Sequence, residues 1–138
     1  MPFWLLKTEP STYSFTDLER DRRTVWDGII NPLALQNLRR MKRGDRAFIY
    51  HSGSEKQIIG IADITSNSYP DPKQPKDTKL AVVNLSSRER LPRPVTLAEI
   101  KARHEFAHWE LVWMPRLSVM TVSDARWKLV HQLAGNSQ

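Results

Sequence analysis

Between Arg46 and Leu91 three β-rich segments follow one another with no room for a helix between them. They are Arg46–His51 (RAFIYH), Gln57–Thr65 (QIIGIADIT) and Leu80–Leu91 (LAVVNLSSRERL). The first link turns at Ser52-Gly53-Ser54. The second contains Tyr69-Pro70-Asp71-Pro72-Lys73-Gln74-Pro75, whose prolines forbid a helix. A parallel pair of strands needs a long crossover, usually helical. These segments must therefore pair as an antiparallel or mixed sheet. That constraint places the chain in the α+β class, as a curled sheet or small barrel with helices packed around it.

The flanking sequence supplies the helices. Phe3–Lys7 (FWLLK) reads as a further strand. Ser14 with Asp17 is a capping-box pattern and predicts a helix over about Phe15–Asp21. Trp26-Asp27-Gly28-Ile29-Ile30 reads as a turn. Asn31 before Pro32 is an N-cap with proline at the first helical position. The helix it opens should run to about Lys42, because Leu35, Leu38 and Met41 recur at helical spacing. Arg39, Arg40, Lys42 and Arg43 suit its C-terminal end, with Gly44 beyond. Pro92 and Pro94 are expected to end the long strand. Thr96 with Glu99 opens a helix to about Arg103, Arg116–Val122 is a strand, and Ser123 caps a helix over Asp124–Ala134, closed by Gly135. Gly60, inside a strand, marks a bulge or a close approach.

With 138 residues, no repeat and no linker, one domain over 1–138 is expected. Apolar runs such as Trp4-Leu5-Leu6 are far too short to span a membrane, and the start carries no secretory pattern. The absence of cysteine excludes disulfides, thiolate metal sites and thiol nucleophiles. It fits a reducing compartment, so a cytoplasmic protein is expected. The net charge of +6 suits a polyanionic partner, most simply nucleic acid, and suits a merely basic soluble protein equally. Tryptophans belong in a core or on a face that stacks bases. Trp4 and Trp127 read as core. Trp26, in a turn beside Gly28, fits a pocket and a core equally. The basic cluster at 39–46 is either a solvated face or a phosphate track.

The sharpest catalytic pattern is His104-Glu105-Phe106-Ala107-His108. On an α-helix, H-E-x-x-H sets two imidazoles on one face to bind zinc, with the glutamate as base. Against it, the segment leads straight into the apolar run Leu111-Val112-Trp113, and only His131 follows; two surface histidines are the simpler reading. There is no nucleophile elbow, no dinucleotide fingerprint and no phosphate-binding loop. His51 and Ser52 are neighbours whose side chains leave a strand on opposite faces. What remains is a set of aromatic and polar residues at strand ends and turns, Lys7, Trp26, Tyr50, Ser52, Tyr69, Pro70 and Asp71 among them.

Trp4-Leu5-Leu6-Lys7-Thr8-Glu9-Pro10, Trp26-Asp27-Gly28 with Asn31, Tyr50-His51-Ser52, Gly60-Ile61, Tyr69-Pro70-Asp71-Pro72, Leu91-Pro92-Arg93-Pro94-Val95 and Arg116-Leu117-Ser118-Val119 together resemble the EVE domain family over nearly the whole chain. The resemblance implies a PUA-like mixed β-barrel of about five or six strands flanked by helices. It implies a non-catalytic module that reads a modified base, of 5-methylcytosine type in DNA or in modified RNA, with no cofactor, no metal and no membrane. The implied pocket takes Trp26 as one wall and Tyr69-Pro70 as the other, with Asp27, Gly28, Asn31, Ser52, Asp71, Leu117 and Ser118 around the base. Lys7, Arg39, Arg40, Lys42 and Arg43 would meet the nucleic-acid backbone. The chain departs from the family pattern at Ile30, Pro32, Leu35 and Thr121, near the expected nucleic-acid face. The rival reading is an enzyme, a PUA-like nuclease or a zinc hydrolase built on the HEFAH segment.

Overall fold

The computed structural model describes residues 2–136. Along the chain it forms β1 (Phe3–Thr8), α1 (Phe15–Asp21), β2 (Arg23–Trp26), α2 (Pro32–Arg39), β3 (Arg46–His51), β4 (Gln57–Ile64), β5 (Tyr69–Pro70), β6 (Ala81–Thr96), α3 (Leu97–Lys101), a 3₁₀ turn at His104–Phe106, α4 (Glu110–Trp113), β7 (Val119–Val122) and α5 (Asp124–Leu133). The capping residues act where the sequence puts them. Ser14 and Asp17 bond reciprocally at the start of α1, and Thr96 and Glu99 do so at α3. Asn31 caps α2, and Ser123 caps α5.

Seven strands form one mixed sheet in the order β2-β6-β4-β3-β1-β7, with β5 on β6. Only β1 and β3 run parallel, and α1, β2 and α2 supply their long connection. The expected mixed α+β architecture, strands flanked by helices, is thus what forms. The ladder is an open path rather than a closed ring: β2 and β7 stand at its ends. The core is aromatic. Trp127 stacks between Phe3 and Phe48 at 4.1 and 4.0 Å, and Trp4 is buried with its indole N–H donating to Asp45 at 3.0 Å. Both tryptophans are core, as expected.

Several boundaries differ from the sequence reading. Helix α2 stops at Arg39, short of Lys42. Arg40 and Met41 bond three residues back, and the buried Asp45 carboxylate takes the Lys42 N–H at 3.0 Å, drawing the chain out of the helix. Strand β6 does not end at Pro92 and Pro94 but continues to Thr96. Its ladder to β4 jumps from the Gly60–Arg90 pair to the Ile58–Val95 pair. Both prolines lie in that bulge, where no ladder donor is required. Gly60 is both a bulge and a close approach: a Cβ there would sit 2.5 Å from the Phe15 ring. Strands β2 and β5 are additions, and β7 begins at Val119 because Met114–Leu117 closes a turn ahead of it.

Candidate functional site

A hollow of about 530 Å³ opens beside Trp26-Asp27-Gly28. Both ends of the open sheet border it. Strand β2 brings Thr24 and Trp26; Ser118 lies just ahead of β7; Lys7 and Thr8 are the end of β1. The turn after β1 completes it. The backbone N–H groups of Thr12 and Tyr13 both donate to the Glu9 carbonyl at 2.9 Å, and the Thr8 hydroxyl donates to the Tyr13 carbonyl at 2.6 Å. This fold-back sets the Tyr13 ring edge-on to Trp26, with centroids 6.2 Å apart and planes at 79°. The Tyr13 hydroxyl donates to Asp21 at 2.9 Å, which fixes the ring from behind. Gly28, at φ +78°, lets the chain leave β2 sharply enough to keep the mouth open.

Trp26 is only 7% exposed, yet it borders the hollow. It packs with the core cluster on one side and borders the hollow on the other. Lys7 is half-buried. Its Nζ donates to the Pro115 carbonyl at 2.9 Å and lies 5.5 Å above the Tyr50 ring. Burial lowers its pKa from the usual lysine value, because water is removed from the ammonium. An ammonium has three donors. One serves Pro115, and the others are left for the hollow. An aromatic corner, a cationic donor and the hydroxyls of Thr24 and Ser118 make a recess suited to a flat heterocycle carrying acceptors.

The structure gathers some of the expected site residues and separates others. Trp26, Asp27, Gly28, Ser118 and Lys7 share the hollow. Tyr69 and Pro70 pair with Val82 and Ala81 on one edge of β6, while Trp26 pairs with Val83 on the other. Tyr69 donates its hydroxyl to Asn84 at 2.5 Å. The wall facing Trp26 is Tyr13, which the sequence reading did not single out. Asp71 is buried, accepts the Lys73 N–H at 2.9 Å, and borders a smaller hollow of about 270 Å³ on the far side of the WDG turn. Asp27 belongs to both and pairs with Lys73 at 3.7 Å. Ser52 stands behind Thr8, donating to its carbonyl from backbone and hydroxyl at 2.9 and 3.3 Å. Asn31 accepts the Ala34 N–H at 3.0 Å and, with Leu117, borders a third depression.

The basic cluster lies elsewhere. Arg39 donates to the Lys79 carbonyl, and the Arg40 guanidinium sits 5.6 Å over the Trp4 ring. Trp4 is four residues before Thr8 on β1, about 13 Å at the usual rise of a strand. Arg39, Arg40, Lys42 and Arg43 thus flank the far end of α2, and of the expected backbone contacts only Lys7 enters the hollow. The HEFAH segment is no helix. His104–Phe106 is a 3₁₀ turn, and Phe106 and Trp109 are buried beneath it. A 3₁₀ turn does not supply the α-helical i, i+4 spacing that the zinc motif requires. Among the described residues no three His, Cys, Asp or Glu side chains gather in a way that would hold a metal. No described helix is long and apolar enough to cross a membrane.

A family model described as EVE domain matches residues 2–133. Human thymocyte nuclear protein 1 is 32% identical over 127 residues, an alignment covering 74% of this chain and 56% of that protein. The chain thus spans little more than half of that relative's length. Among solved structures, Rpa0253 from Rhodopseudomonas palustris superposes with a TM-score of 0.92 at 39% identity, covering 98% of this chain and 94% of that one. The human THYN1 protein in complex with DNA containing 5-methylcytosine superposes with a TM-score of 0.90 at 26% identity, covering all of both chains.

Proposed function

The chain belongs to the EVE domain family, and on that premise we propose that it is a single EVE unit that binds DNA and reads a modified base, of 5-methylcytosine type, in the hollow beside the WDG turn. The human relative solved with such DNA supports the ligand class. The observation that carries the reading in this chain is the corner made by Tyr13 and Trp26 with the Lys7 ammonium beside it.

A base inside a duplex shows a reader only its groove edges. Taking it out of the stack costs a few kcal/mol. Contact with aromatic rings returns about 1–3 kcal/mol per base. Burial of one methyl adds only about 0.8 kcal/mol. Selectivity therefore comes from a recess whose walls do not yield, and the packed Trp26 and tethered Tyr13 provide such walls. Lys7 and the hydroxyls of Thr24 and Ser118 are placed to meet carbonyl and ring-nitrogen acceptors on the base edge. The net positive charge adds an attraction to phosphates that is independent of sequence and weakens steeply with salt.

The test is a fluorescence-anisotropy titration of labelled oligonucleotides with and without 5-methylcytosine. It uses single-stranded and duplex DNA and the matching RNA, at about 50 and about 200 mM salt. The expected result is a preference for the modified DNA that persists at both salt concentrations while overall affinity falls. Ser118→Phe, which fills the recess, and Tyr13→Ala, which removes a wall, should each abolish the preference with the melting transition retained. Equal affinity for every oligonucleotide would leave charge binding alone, and a preference confined to RNA would move the reading from DNA to RNA.

A further inference from the structure

We infer that the depression around Trp113 is a second stacking site, taking the nucleobase that flanks the one in the hollow. This rests on the proposed base-reading function and extends it from a single base to the strand that carries it.

Trp113 is the large apolar side chain the fold leaves most conspicuously without cover among the tryptophans, at 60% exposed. It is not loose. Its indole N–H donates to the His108 carbonyl at 3.2 Å, which holds the ring in one orientation, and no other aromatic ring stacks on it among the described residues. It stands over a depression of about 410 Å³ whose apolar lining includes Leu33 and Met114, with Arg116 at the margin. Arg116 is exposed and makes no ion pair among the described residues. A pinned indole face, an apolar floor and an unengaged guanidinium suit a base with its phosphate.

Position selects the occupant. Leu117 borders this depression, and the next residue, Ser118, borders the hollow. Lys7 borders the hollow and holds the Pro115 carbonyl, which belongs to the depression. On the other side Ile29 borders the hollow and Asn31, two residues on, borders the depression. A strand with one base in the hollow passes over this shared rim, and its neighbouring base meets Trp113. Positive charge at the rim, from Lys7 and Arg116, matches the phosphate between the two bases.

The experiment compares Trp113→Ala and Trp113→Phe with the wild-type chain on two probes, free 5-methyl-2′-deoxycytidine and a short single-stranded oligonucleotide with one central 5-methylcytosine. Loss of one base stack corresponds to about 5- to 150-fold in affinity. Trp113→Ala should weaken the oligonucleotide by a factor in that range and leave the nucleoside unchanged, while Trp113→Phe retains most of the affinity. The exposed position keeps the fold intact, which the melting temperature verifies. If Trp113→Ala binds the oligonucleotide like wild type while Ser118→Phe does not bind it, the second site is wrong and base reading stands. If wild type binds neither probe, both readings fall. Equal weakening of both probes would make Trp113 a support of the hollow instead. A dimer that Trp113→Ala converts to a monomer in sedimentation would assign this face to a second copy of the chain.

Discussion

Replacing Gly60 by alanine should destabilise the domain by an amount the packing fixes. The new methyl would lie 2.5–2.8 Å from three atoms of the Phe15 ring, about 1 Å inside a normal carbon contact. The ring has little room to retreat. Phe15 is fully buried, its N–H is held by His51 Nε2 at 2.9 Å, and the Arg90 guanidinium covers the ring at 5.3 Å. Overpacking of this kind costs about 1–3 kcal/mol. Alanine also restricts the unfolded chain, which offsets roughly 0.4–1 kcal/mol. At the middle of these ranges the net loss is about 1.3 kcal/mol, or roughly 4 °C in melting temperature for a domain of this size. Urea denaturation of Gly60→Ala, Phe15→Leu and the double variant measures it. The smaller ring-free side chain relieves the clash, so the double variant should be more stable than the sum of the singles by at least about 0.5 kcal/mol. A Gly60→Ala protein as stable as wild type, or strict additivity, would refute the argument that Phe15 is why glycine stands here.

Two further expectations concern pH. His131 is buried with Nε2 unpaired, and burial lowers its pKa below the usual 6.5. The unfolded chain takes up the proton first, so its contribution is complete above about pH 6.5 and is lost as pH falls from there through the lower folded pKa. His131→Leu should flatten that part of the stability curve, as read by thermal melts from pH 8 to pH 5. Glu99 is held down from 4.5 to about 2, chiefly by Arg93 and then by the Thr96 backbone. Its contribution is present above pH 4.5 and lost as pH falls toward 2. Glu99→Gln should remove that acid limb and cost about 1 kcal/mol at neutral pH through the weakened cap of α3.

The parts of the fold that could be read in the sequence are those set by neighbours in the chain. Ser14 with Asp17, Asn31 with Pro32 and Thr96 with Glu99 start helices through bonds spanning a single turn. Arg46–His51 is a strand in both readings because its β-branched and aromatic residues are buried almost throughout. What could not be read depends on distant partners. Strand β2 buries only Trp26 and exists because β6 pairs with it. The prolines of β6 stop a strand unless a bulge in β6 itself, opposite β4, excuses them. The same limit applies to the site. Trp26, Gly28, Lys7 and Ser118 border one hollow, but Tyr69 is parted from Trp26 by the width of β6, a distance no local pattern reports. Tyr13 reaches its place only through the fold-back onto Glu9 and Thr8.

The sheet's failure to close has a mechanical result for the recess at its seam. Elsewhere in the molecule the spacing of neighbouring strands is fixed near 4.8 Å by their ladders. Between β2 and β7 no ladder exists. The opening there is bounded by side chains rather than by backbone bonds, and the packed Trp26 and the tethered Tyr13 hold its shape. Scaffold and opening thus belong to one sheet, and the opening lies where its two margins come near each other without joining.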